Sequence, residues 1–361
     1  VQMVVVGPEA PLVNGIWNLL HNMRASSHVP VIGPSLQGAK LEGSKAFAKK
    51  FMLQFGIPTA AYREFIARHL DTALWYVQKK ATLPIVLKAD GLAAGKGVVI
   101  CETREEAAAE LKEMLGGKFG EASRKVVIEQ FLSGIEFSVF ALTDGESYKI
   151  LPVAKDYKRV GEGDTGLNTG GMGAVSPPPF VDEILMQKVE ERIIQPTVRG
   201  LREKKIQYQG FLFFGLISVG GEPFVIEYNC RMGDPETEVV LPRLKNDLVE
   251  LFLAIKDHRL SEVKIEVDER AAATIMLTAG GYPGGYHKGD VISGLEKVEG
   301  SFVFHAGTKR FGEQVVTNGG RVLAVTSLAD DFQQAVAQSK KNAEVIEFDG
   351  KYFRTDIGFD L

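Results

Sequence analysis

Two glycine-rich segments carry residue types suited to one site for a phosphorylated nucleotide. Residues 88–99 read Lys-Ala-Asp-Gly-Leu-Ala-Ala-Gly-Lys-Gly-Val-Val, a strand and a small-residue loop with Lys96 near its tip. Residues 225–236 include a second strand that delivers Glu227 and Asn229 to the same face, because side chains two apart on a strand point the same way. Lysine on a pliable loop suits polyphosphate, and a carboxylate beside an amide oxygen suits Mg²⁺. Together the two segments predict an ATP-dependent enzyme.

The first segment is predicted to be a flap over nucleotide phosphates rather than a P-loop. A P-loop needs glycine at position 90, Ser or Thr at position 97 and a following helix, whereas this chain has Asp90, Gly97 and a strand from Val98. Small residues throughout the loop, Gly95 among them, let backbone N–H groups approach an anion. The alternative is a surface hairpin with a solvated lysine. Lys88 ends a buried strand, where an unpaired lysine would be costly, so we expect it to have a partner.

The second segment predicts a metal site at the end of an apolar strand. Glu227 and Asn229 are followed by Arg231, Asp234 and Glu236, a density of polar groups that packing alone does not explain. Mg²⁺ usually takes one or two protein carboxylates together with substrate phosphates, so two protein ligands are adequate. The alternative is an edge strand with solvated acids. Cys230 points to the opposite face, where we expect packing.

A third glycine-rich segment, residues 155–173, is predicted to be an active-site loop of about 20 residues. It contains a formal G-x-G-x-x-G pattern at residues 161–166, but no helix follows, so a dinucleotide-binding fingerprint is not indicated. Its charged and amide-bearing residues are suited to a small charged substrate: Asp156, Lys158, Arg159, Asn168, Gly170 and Gly171. The alternative is a disordered surface loop, although the segment lacks the composition typical of disorder.

The elements that must position these residues are a mixture of parallel and antiparallel units. Short strands at 3–6 and 29–32 enclose an amphipathic helix at 11–23, which predicts a parallel strand–helix–strand unit. The next patterns predict helices at 44–55, 103–115, 183–203 and 243–256, strands at 84–88, 98–102 and 126–131, and hairpins across 144–145 and 220–221. Thr103 and Glu106 predict a capping box at the start of the second of these helices. After residue 266 the pattern resets to strands at 271–279, 302–306, 314–317 and 321–326 and a helix at 331–345.

Composition excludes several classes of protein. The chain has 361 residues, enough for two or three domains, and its formal net charge of −4 argues against sequence-independent nucleic-acid binding. Two cysteines are too few for a disulfide framework, and the six histidines lack zinc-type spacing. No apolar stretch approaches the ~20 residues that span a bilayer. We therefore expect a cytoplasmic protein with small-molecule partners, no nucleic-acid or membrane partner, and a monomeric or small homo-oligomeric state.

Seven short motifs extend over essentially the whole chain. They are Gly-Pro-Glu-Ala-Pro-Leu at 7–12, Leu-Glu-Gly-Ser-Lys-Ala-Phe at 41–47, the flap at 88–97, Asp-Thr-Gly-x-Asn-Thr-Gly-Gly-Met-Gly at 164–173, Asn-Cys-Arg-x-Gly-Asp-Pro-Glu-Thr at 229–237, Gly-Gly-Tyr-Pro-Gly at 280–284 and His-Ala-Gly-Thr at 305–308. Together they resemble the phosphoribosylamine–glycine ligase (glycinamide ribonucleotide synthetase) family of the ATP-grasp superfamily.

The resemblance implies an α/β and α+β multidomain chain built around an ATP-grasp fold, in which two lobes hold ATP between them. We expect residues 1–43 to be the remnant of an N-terminal doubly wound (pre-ATP-grasp) domain. Residues 44–262 would form the ATP-grasp domain, with the flap-bearing small lobe at about 62–132, and residues 263–361 a mostly β C-terminal domain.

The resemblance also implies an activity and its residues. ATP would phosphorylate the carboxylate of glycine, and the amine of 5-phosphoribosylamine would attack the glycyl phosphate to give glycinamide ribonucleotide, ADP and phosphate in purine biosynthesis. The implied cofactors are ATP and Mg²⁺ (or Mn²⁺), with Glu227 and Asn229 as metal ligands. The implied nucleotide-binding residues are Lys45, Lys88, Gly95, Lys96, Gly97, Glu129, Phe131, Leu132 and Glu136, with 129–132 as the adenine hinge and Glu136 as the ribose acceptor. The implied substrate-binding residues are Glu9, Asp156, Lys158, Arg159, Asn168, Gly170 and Gly171, and the implied catalytic residues are Lys96, Arg231 and Asp234.

The sequence departs from the family pattern in two places. The strand at 211–218 carries no acid, whereas many ATP-grasp enzymes have one there, so the Glu–Asn pair must serve alone. The chain opens with Val1 in an apolar strand and lacks the family's Gly-Gly-Arg-Glu-type loop, so we expect roughly 60 residues, at about 30 per βαβ unit, to be missing and phosphoribosylamine binding to be weakened. The alternative functions are another ATP-grasp carboxylate–amine ligase or carboxylase, and a nucleotide-binding module without turnover.

Overall fold

The computed structural model describes residues 1–92 and 97–361. The chain begins with a small parallel unit, in which β1 (Val4–Val5) pairs with β2 (Val31–Ile32) as the sequence predicts. The single helix predicted between them is wrong: the segment forms α1 (Glu9–Val13) and α2 (Ile16–Asn22). Gly15 separates them with a φ of +80°, a left-handed conformation that a continuous helix does not contain.

The next unit is a small lobe made of an antiparallel sheet covered by two helices. Its elements follow α3 (Lys40–Gly43) and α4 (Lys45–Gln54), and they are β3 (Tyr62–Ile66), α5 (Leu70–Lys79), β4 (Ile85–Ala89), β5 (Val98–Cys101), α6 (Arg104–Leu115) and β6 (Lys125–Gln130). The strand order is β3-β6-β4-β5, and β4 and β5 flank the glycine-rich loop as predicted. The predicted capping box of α6 is present, with Thr103 and Glu106 exchanging hydrogen bonds.

The predicted active-site loop at 155–173 is not irregular, because most of it pairs as short strands. After β7 (Ile135–Thr143) and β8 (Tyr148–Ile150) come β9 (Lys155–Asp156), β10 (Arg159–Gly161), β11 (Thr165–Asn168) and β12 (Gly173–Ser176). β10 and β11 form an antiparallel ribbon, while β9 pairs with β12. The many glycines of this segment predicted a loop, but here they allow the backbones of neighbouring strands to approach closely.

The large lobe contains the sheet that carries the acid–amide strand. Its remaining elements are α7 (Glu183–Val189), a π-helical turn (Glu190–Ile194), α8 (Gln195–Glu203), β13 (Gly210–Val219), β14 (Glu222–Asn229), α9 (Thr237–Val240) and α10 (Leu248–Lys256). The strand order is β14-β13-β7-β8, and both predicted hairpins are present. Helix α10 begins later than predicted because the side chain of Asp247 caps it by accepting the N–H groups of Val249 and Glu250.

Both faces of this large-lobe sheet are buried, which fixes it rigidly. Leu212 and Phe214 of β13 pack in one apolar cluster with α7 and α8, whereas Phe211 and Phe213 pack in another with α9 and α10. The alternation follows from the two-residue period of a strand. β14 is therefore held against a packed support while its end faces the cleft described below.

The C-terminal unit is a second antiparallel sheet that borrows strands from the preceding segment. Its own elements are β15 (Ala271–Thr278), β16 (Phe302–His305), β17 (Thr308–Phe311), β18 (Gln314–Thr317), β19 (Arg321–Ala329) and α11 (Phe332–Val345). The strand order β16-β19-β15-β12-β9 joins it to residues 155–176, which the sequence assigned to the ATP-grasp domain. β17 was not predicted. Among the described residues, no helix has the length and apolar character needed to cross a membrane.

Candidate active site

One cleft of about 690 Å³ lies between the two lobes and is lined by both glycine-rich segments. From the first segment it is lined by Lys88, Gly91 and Gly97, and from the second by Glu227 and Asn229. The two segments also touch directly, since the Nζ of Lys88 donates a hydrogen bond to the backbone oxygen of Ile226 at 3.2 Å. The predicted shared cleft is therefore present. Gly95 and Lys96, predicted as the tip of the flap, lie outside the described residues.

Lys88 has a buried partner, Glu129, as predicted from the sequence. Its Nζ lies 3.1 Å from Oε2 of Glu129, and the same oxygen lies 2.9 Å from Nζ of Lys49. All three side chains are at most 6% exposed. Lys49 also donates to Oγ1 of Thr59 at 2.7 Å, and burial lowers its pKa to about 8 against the opposing effect of Glu129. Two lysines thus share one carboxylate behind the cleft.

The predicted adenine hinge is placed differently from the rest of the nucleotide residues. Glu129 points its carboxylate at the two lysines, and neither it nor Phe131 nor Leu132 lines the cleft. Ile135 and Glu136, a few residues further on, do line it. Lys49 was missed because a lysine in an amphipathic helix carries no signal of burial until its neighbours are known.

Lys45 reaches the cleft from the first turn of α4, and Asp90 ties that turn to the flap strand. Oδ1 of Asp90 accepts the hydroxyl of Ser44 at 2.9 Å and the backbone N–H of Ala46 at 2.8 Å. Ser44 in turn caps the helix by accepting the N–H of Phe47. A carboxylate at a helix N-terminus is favoured by the helix dipole. No role was predicted for Asp90, which here couples the flap strand to the helix that carries Lys45.

Glu227 and Asn229 lie side by side on β14, as the strand period predicts. In the antiparallel pairing with β13 they stand opposite Gly215 and Phe213. A side chain at Gly215 would place its Cβ 3.1 Å from Cγ of Glu227, so the glycine leaves room for the carboxylate. Although burial opposes ionisation, Lys45, Lys158 and Lys88 hold the pKa of Glu227 below its usual value. Within residues 1–92 and 97–361, no cluster of three or more His, Cys, Asp or Glu residues could hold a metal ion.

The predicted substrate residues Asp156, Lys158 and Arg159, in and between β9 and β10, line the same cleft as part of a charged group. Nζ of Lys158 lies 2.8 Å from Oε2 of Glu136 and 3.9 Å from Oδ1 of Asp156. Lys158 lowers the pKa of Glu136, whereas burial raises the pKa of Asp156. Arg159 donates to the backbone oxygen of Gly166 at 2.7 Å. Glu136, predicted as the ribose acceptor, therefore already has a lysine partner.

The glycine loop that follows is only partly in the cleft. Asn168 and Gly170 line it, but Gly171 does not. Gly171 packs its backbone against Pro235 with a φ of +113°, and a side chain there would collide with the proline ring. This contact brings the loop beside Asp234, which lines the cleft.

Arg231 and the N-terminal unit meet at the same cleft. Arg231 pairs with Glu42 at 3.0 Å and lies 3.6 Å from the carboxylate of Glu9. Glu42 is 6% exposed, accepts the backbone N–H of Cys230 at 2.8 Å, and has its pKa raised by burial. Cys230 is buried, in agreement with the packing role expected of it. Glu42 was missed, although it lies within the motif at residues 41–47.

Glu236, one of the polar residues noted after the acid–amide strand, is a second buried acid, to which the sequence analysis assigned no role. It is 3% exposed, lines the cleft and accepts the hydroxyl of Ser138 at 3.1 Å. Burial, assisted by the nearby carboxylate of Asp156, raises the pKa of Glu236 to about 8. Its only sequence signal is its place beside the predicted site, in the motif at residues 229–237.

Two lobes that enclose one cleft, with Lys88 on one and the acid–amide strand on the other, are typical of ATP-grasp enzymes, and the matching ATP-grasp family model confirms the predicted fold class. Three family models match the chain: the phosphoribosylglycinamide synthetase N domain at residues 1–42, the ATP-grasp (A) domain at 43–237 and the C domain at 272–360. The chain belongs to the phosphoribosylglycinamide synthetase family. The resemblance inferred from its motifs is confirmed.

Individual relatives agree with this assignment. The phosphoribosylamine–glycine ligase of Escherichia coli (strain K12) is 49% identical over 364 residues, which cover 99% of this chain and 83% of that protein. The enzyme of the same name from Vibrio vulnificus (strain YJ016) is 48% identical over 363 residues, with the same coverage. A crystal structure of phosphoribosylamine–glycine ligase from Thermotoga maritima is similar with a TM-score of 0.82 and 37% identity, covering 93% of this chain and 82% of that one. The chain is therefore an ATP-dependent ligase of purine biosynthesis, as predicted.

Proposed function

We propose that the cleft joins glycine to 5-phosphoribosylamine with ATP, through a glycyl phosphate intermediate. The observation that best supports this site is the hydrogen bond from Lys88 to the backbone of Ile226. Because of this bond, a lysine suited to phosphate lies beside the strand that carries Glu227 and Asn229. Lys45 and Lys88 would neutralise the phosphates of ATP, and backbone N–H groups of the flap would cover them. The flap would also keep water from the acyl phosphate, which water would otherwise hydrolyse.

Glu227 and Asn229 would hold a divalent cation, Mg²⁺ or Mn²⁺. Their donor atoms are carboxylate and amide oxygens, which are the ligands that these hard ions prefer. With two protein ligands, nucleotide phosphate oxygens and water would complete the coordination shell. When bound, the ion supplies positive charge that stabilises the phosphoryl group during transfer.

The remaining residues would bind and orient the two substrates. Lys158, Arg159 and Arg231 supply positive charge for the glycine carboxylate and for phosphate oxygens, while Glu136 and Asp156 supply negative charge for an amine. A glycine carboxylate oxygen forms a bond to the γ-phosphorus as the bond to ADP breaks. The amine nitrogen then bonds to the carbonyl carbon, phosphate leaves, and the nitrogen loses a proton. Placement of the amine, more than its activation, is what this chemistry requires.

The domain division and the compartment remain part of the proposal. We propose an N-terminal unit at 1–43, an ATP-grasp domain at 44–262 and a C-terminal domain at 263–361; the first boundary lies one residue from that of the matched family segments, and the second falls within the stretch 238–271 between two of them. Strands β9 and β12 belong by pairing to the C-terminal sheet, so the last two units would fold against each other. We propose a cytoplasmic location, since the predicted substrates are metabolites of biosynthesis.

The test is a substrate panel that follows release of ADP and phosphate with Mg²⁺ or Mn²⁺ present. Phosphate release that requires both glycine and phosphoribosylamine, with glycinamide ribonucleotide identified by mass spectrometry, supports the proposal. Release driven by bicarbonate or by another amino acid would assign a different ATP-grasp reaction. Binding of Mg·ATP in calorimetry without any turnover would instead indicate a nucleotide-binding module. The Glu227→Gln variant serves as the matched control, since it should need more metal for the same activity while retaining the fold.

A further inference from the structure

Two glycine turns of the C-terminal unit present a tyrosine and an arginine to segments that line the cleft. Residues 280–284 contain Tyr282, and residues 319–321 read Gly-Gly-Arg. A side chain at Gly320 would collide with the ring of Tyr282, so the glycine is what lets the two turns lie against each other. The backbone of Arg321 is held in place as its carbonyl accepts the N–H of Gly307 at 2.8 Å. Neither turn has a part in the function described above.

Arg321 joins the two loops that carry the predicted substrate and catalytic residues. Its Nη1 donates to the backbone oxygens of Gly170 at 2.7 Å and Asp234 at 3.1 Å, and its Nη2 donates to Oδ2 of Asp234 at 2.6 Å. The hydroxyl of Tyr282 accepts the N–H of Gly170 at 3.0 Å. Both backbone groups of Gly170 are therefore bound by the C-terminal unit. The Arg321 side chain is 19% exposed, which limits competition from water.

The local packing leaves little freedom to this arrangement. A side chain at Gly170 would put its Cβ 2.8 Å from the guanidinium carbon of Arg321. One residue further on, Gly171 rests directly on Pro235, next to Asp234. The guanidinium group thus links the segments that contain Gly170 and Asp234. These segments are about 60 residues apart in sequence, so only tertiary contacts can set the distance between them. Gly170 and Asp234 both line the cleft, so the distance between their segments sets the shape of the part of the cleft that would bind the substrates.

We propose that Arg321, assisted by Tyr282, is a positioning residue for the ligation reaction: it fixes Gly170 and Asp234 relative to each other, so that the C-terminal domain completes the substrate half of the site. This inference rests on the proposed function for what the site binds. The forked geometry is essential, because a guanidinium offers several donors in one plane whereas an ammonium acts as a single point charge. Lysine at position 321 could keep the ion pair with Asp234 but not the bonds to both backbone oxygens.

The test compares Arg321→Ala, Arg321→Lys and Tyr282→Phe with Arg310→Ala, a control that removes an exposed arginine of β17 in the same unit. For Arg321→Ala we expect kcat/KM for glycine and phosphoribosylamine to fall by about 10²-fold, the effect of a misplacement of about 1 Å, with KM for ATP unchanged. Arg321→Lys should remain impaired, and Arg310→Ala should match the wild type. Equal values for Arg321→Ala and Arg310→Ala, or full activity of Arg321→Lys, would overturn the proposal.

A second measurement separates this inference from the proposed function. Hydrogen exchange at the Gly170 amide should accelerate in Tyr282→Phe and Arg321→Ala while exchange in β13 stays unchanged, whichever substrates the enzyme takes. A variant that accelerates exchange throughout the chain, or loses affinity for ATP to the same extent as for the other substrates, would indicate a role in general stability and refute positioning. If the wild type shows no glycine-dependent ADP release, the proposed function fails, while the exchange result still decides on Arg321.

Discussion

Replacing Glu129 with glutamine tests the buried charge network behind the cleft. The carboxylate of Glu129 is shared between Lys49 and Lys88 at 2.9 and 3.1 Å, with all three side chains almost fully buried. The substitution preserves shape and removes the negative charge, so two lysine side chains are left facing each other without a counter-charge. Removing one partner of a buried ion pair costs about 3–5 kcal/mol, because the remaining charge stays desolvated. We expect Glu129→Gln to lose that amount of unfolding free energy.

The loss can be followed by thermal and urea unfolding at pH 7. For a cooperative unit of 150–250 residues, each kcal/mol lowers Tm by about 2–4 °C, so the melting temperature should fall by about 6–20 °C. The matched control is Glu113→Gln, which removes the same charge from a pair with Lys118 in which Glu113 is 63% exposed. That variant should lose less than about 1 kcal/mol, since solvent screens an exposed pair.

A double-mutant cycle identifies the cause of the loss. Lys49→Met leaves Glu129 paired with Lys88 one to one, and in the background of Glu129→Gln it removes the repulsion between the lysines. The two substitutions should therefore couple, with an interaction energy of about 1–3 kcal/mol, the range found for residues in one charge network. Additive losses, or a Glu129→Gln variant as stable as Glu113→Gln, would refute a buried network of shared charge.

Three further predictions concern the metal, the flap and the pH dependence. Glu227→Gln should raise the concentration of Mg²⁺ needed for half-maximal activity, and an unchanged metal titration would remove Glu227 from the metal site. Lys96→Ala should lower turnover by about 10²–10³-fold through loss of a charge-stabilising contact, so a near-normal kcat would mean that the flap tip is not catalytic. Burial lowers the pKa of Lys49 from 10.5 to about 8, so between these pH values the unfolded chain binds the extra proton and stability from this group rises with pH. The rise should total about 3 kcal/mol in wild type relative to Lys49→Met, and parallel stability curves for the two proteins would contradict it.

Elements with a strong local signal were predicted well. The capping box at Thr103, the strands flanking the flap and the hairpin that ends in Asn229 all follow from neighbours in sequence, through strand period, caps and turn residues. The helix at 11–23 failed because one glycine in a left-handed conformation outweighs an otherwise amphipathic pattern. Residues 155–173 failed for a different reason. β12 pairs because a sheet built from residues beyond 270 offers it an edge, β9 then pairs with β12, and β10 and β11 pair with each other.

The candidate site divides in the same way. Residue types with an intrinsic preference for phosphate or metal, such as Lys88, Glu227 and Asn229, can be recognised from spacing alone, and the structure places all three on one cleft. Lys49 and Glu42 give no such signal, because a charged residue in a helix is ordinarily exposed to solvent. Their ion pairs near the site become evident only when the structure shows that both side chains are buried.

The sequence by itself determined the family, the ATP-dependent class of reaction and the identity of the groups that would meet phosphate and metal, because these depend on residue chemistry and on distances of a few positions. Only the tertiary structure decided that Glu129 turns toward two lysines, that Asp90 ties the flap to α4, and that Arg321 reaches Gly170 and Asp234. Those contacts join residues about 41 to 151 positions apart. Over such sequence separations the chain itself does not determine which residues meet. The packing of the lobes and of the C-terminal sheet determines it.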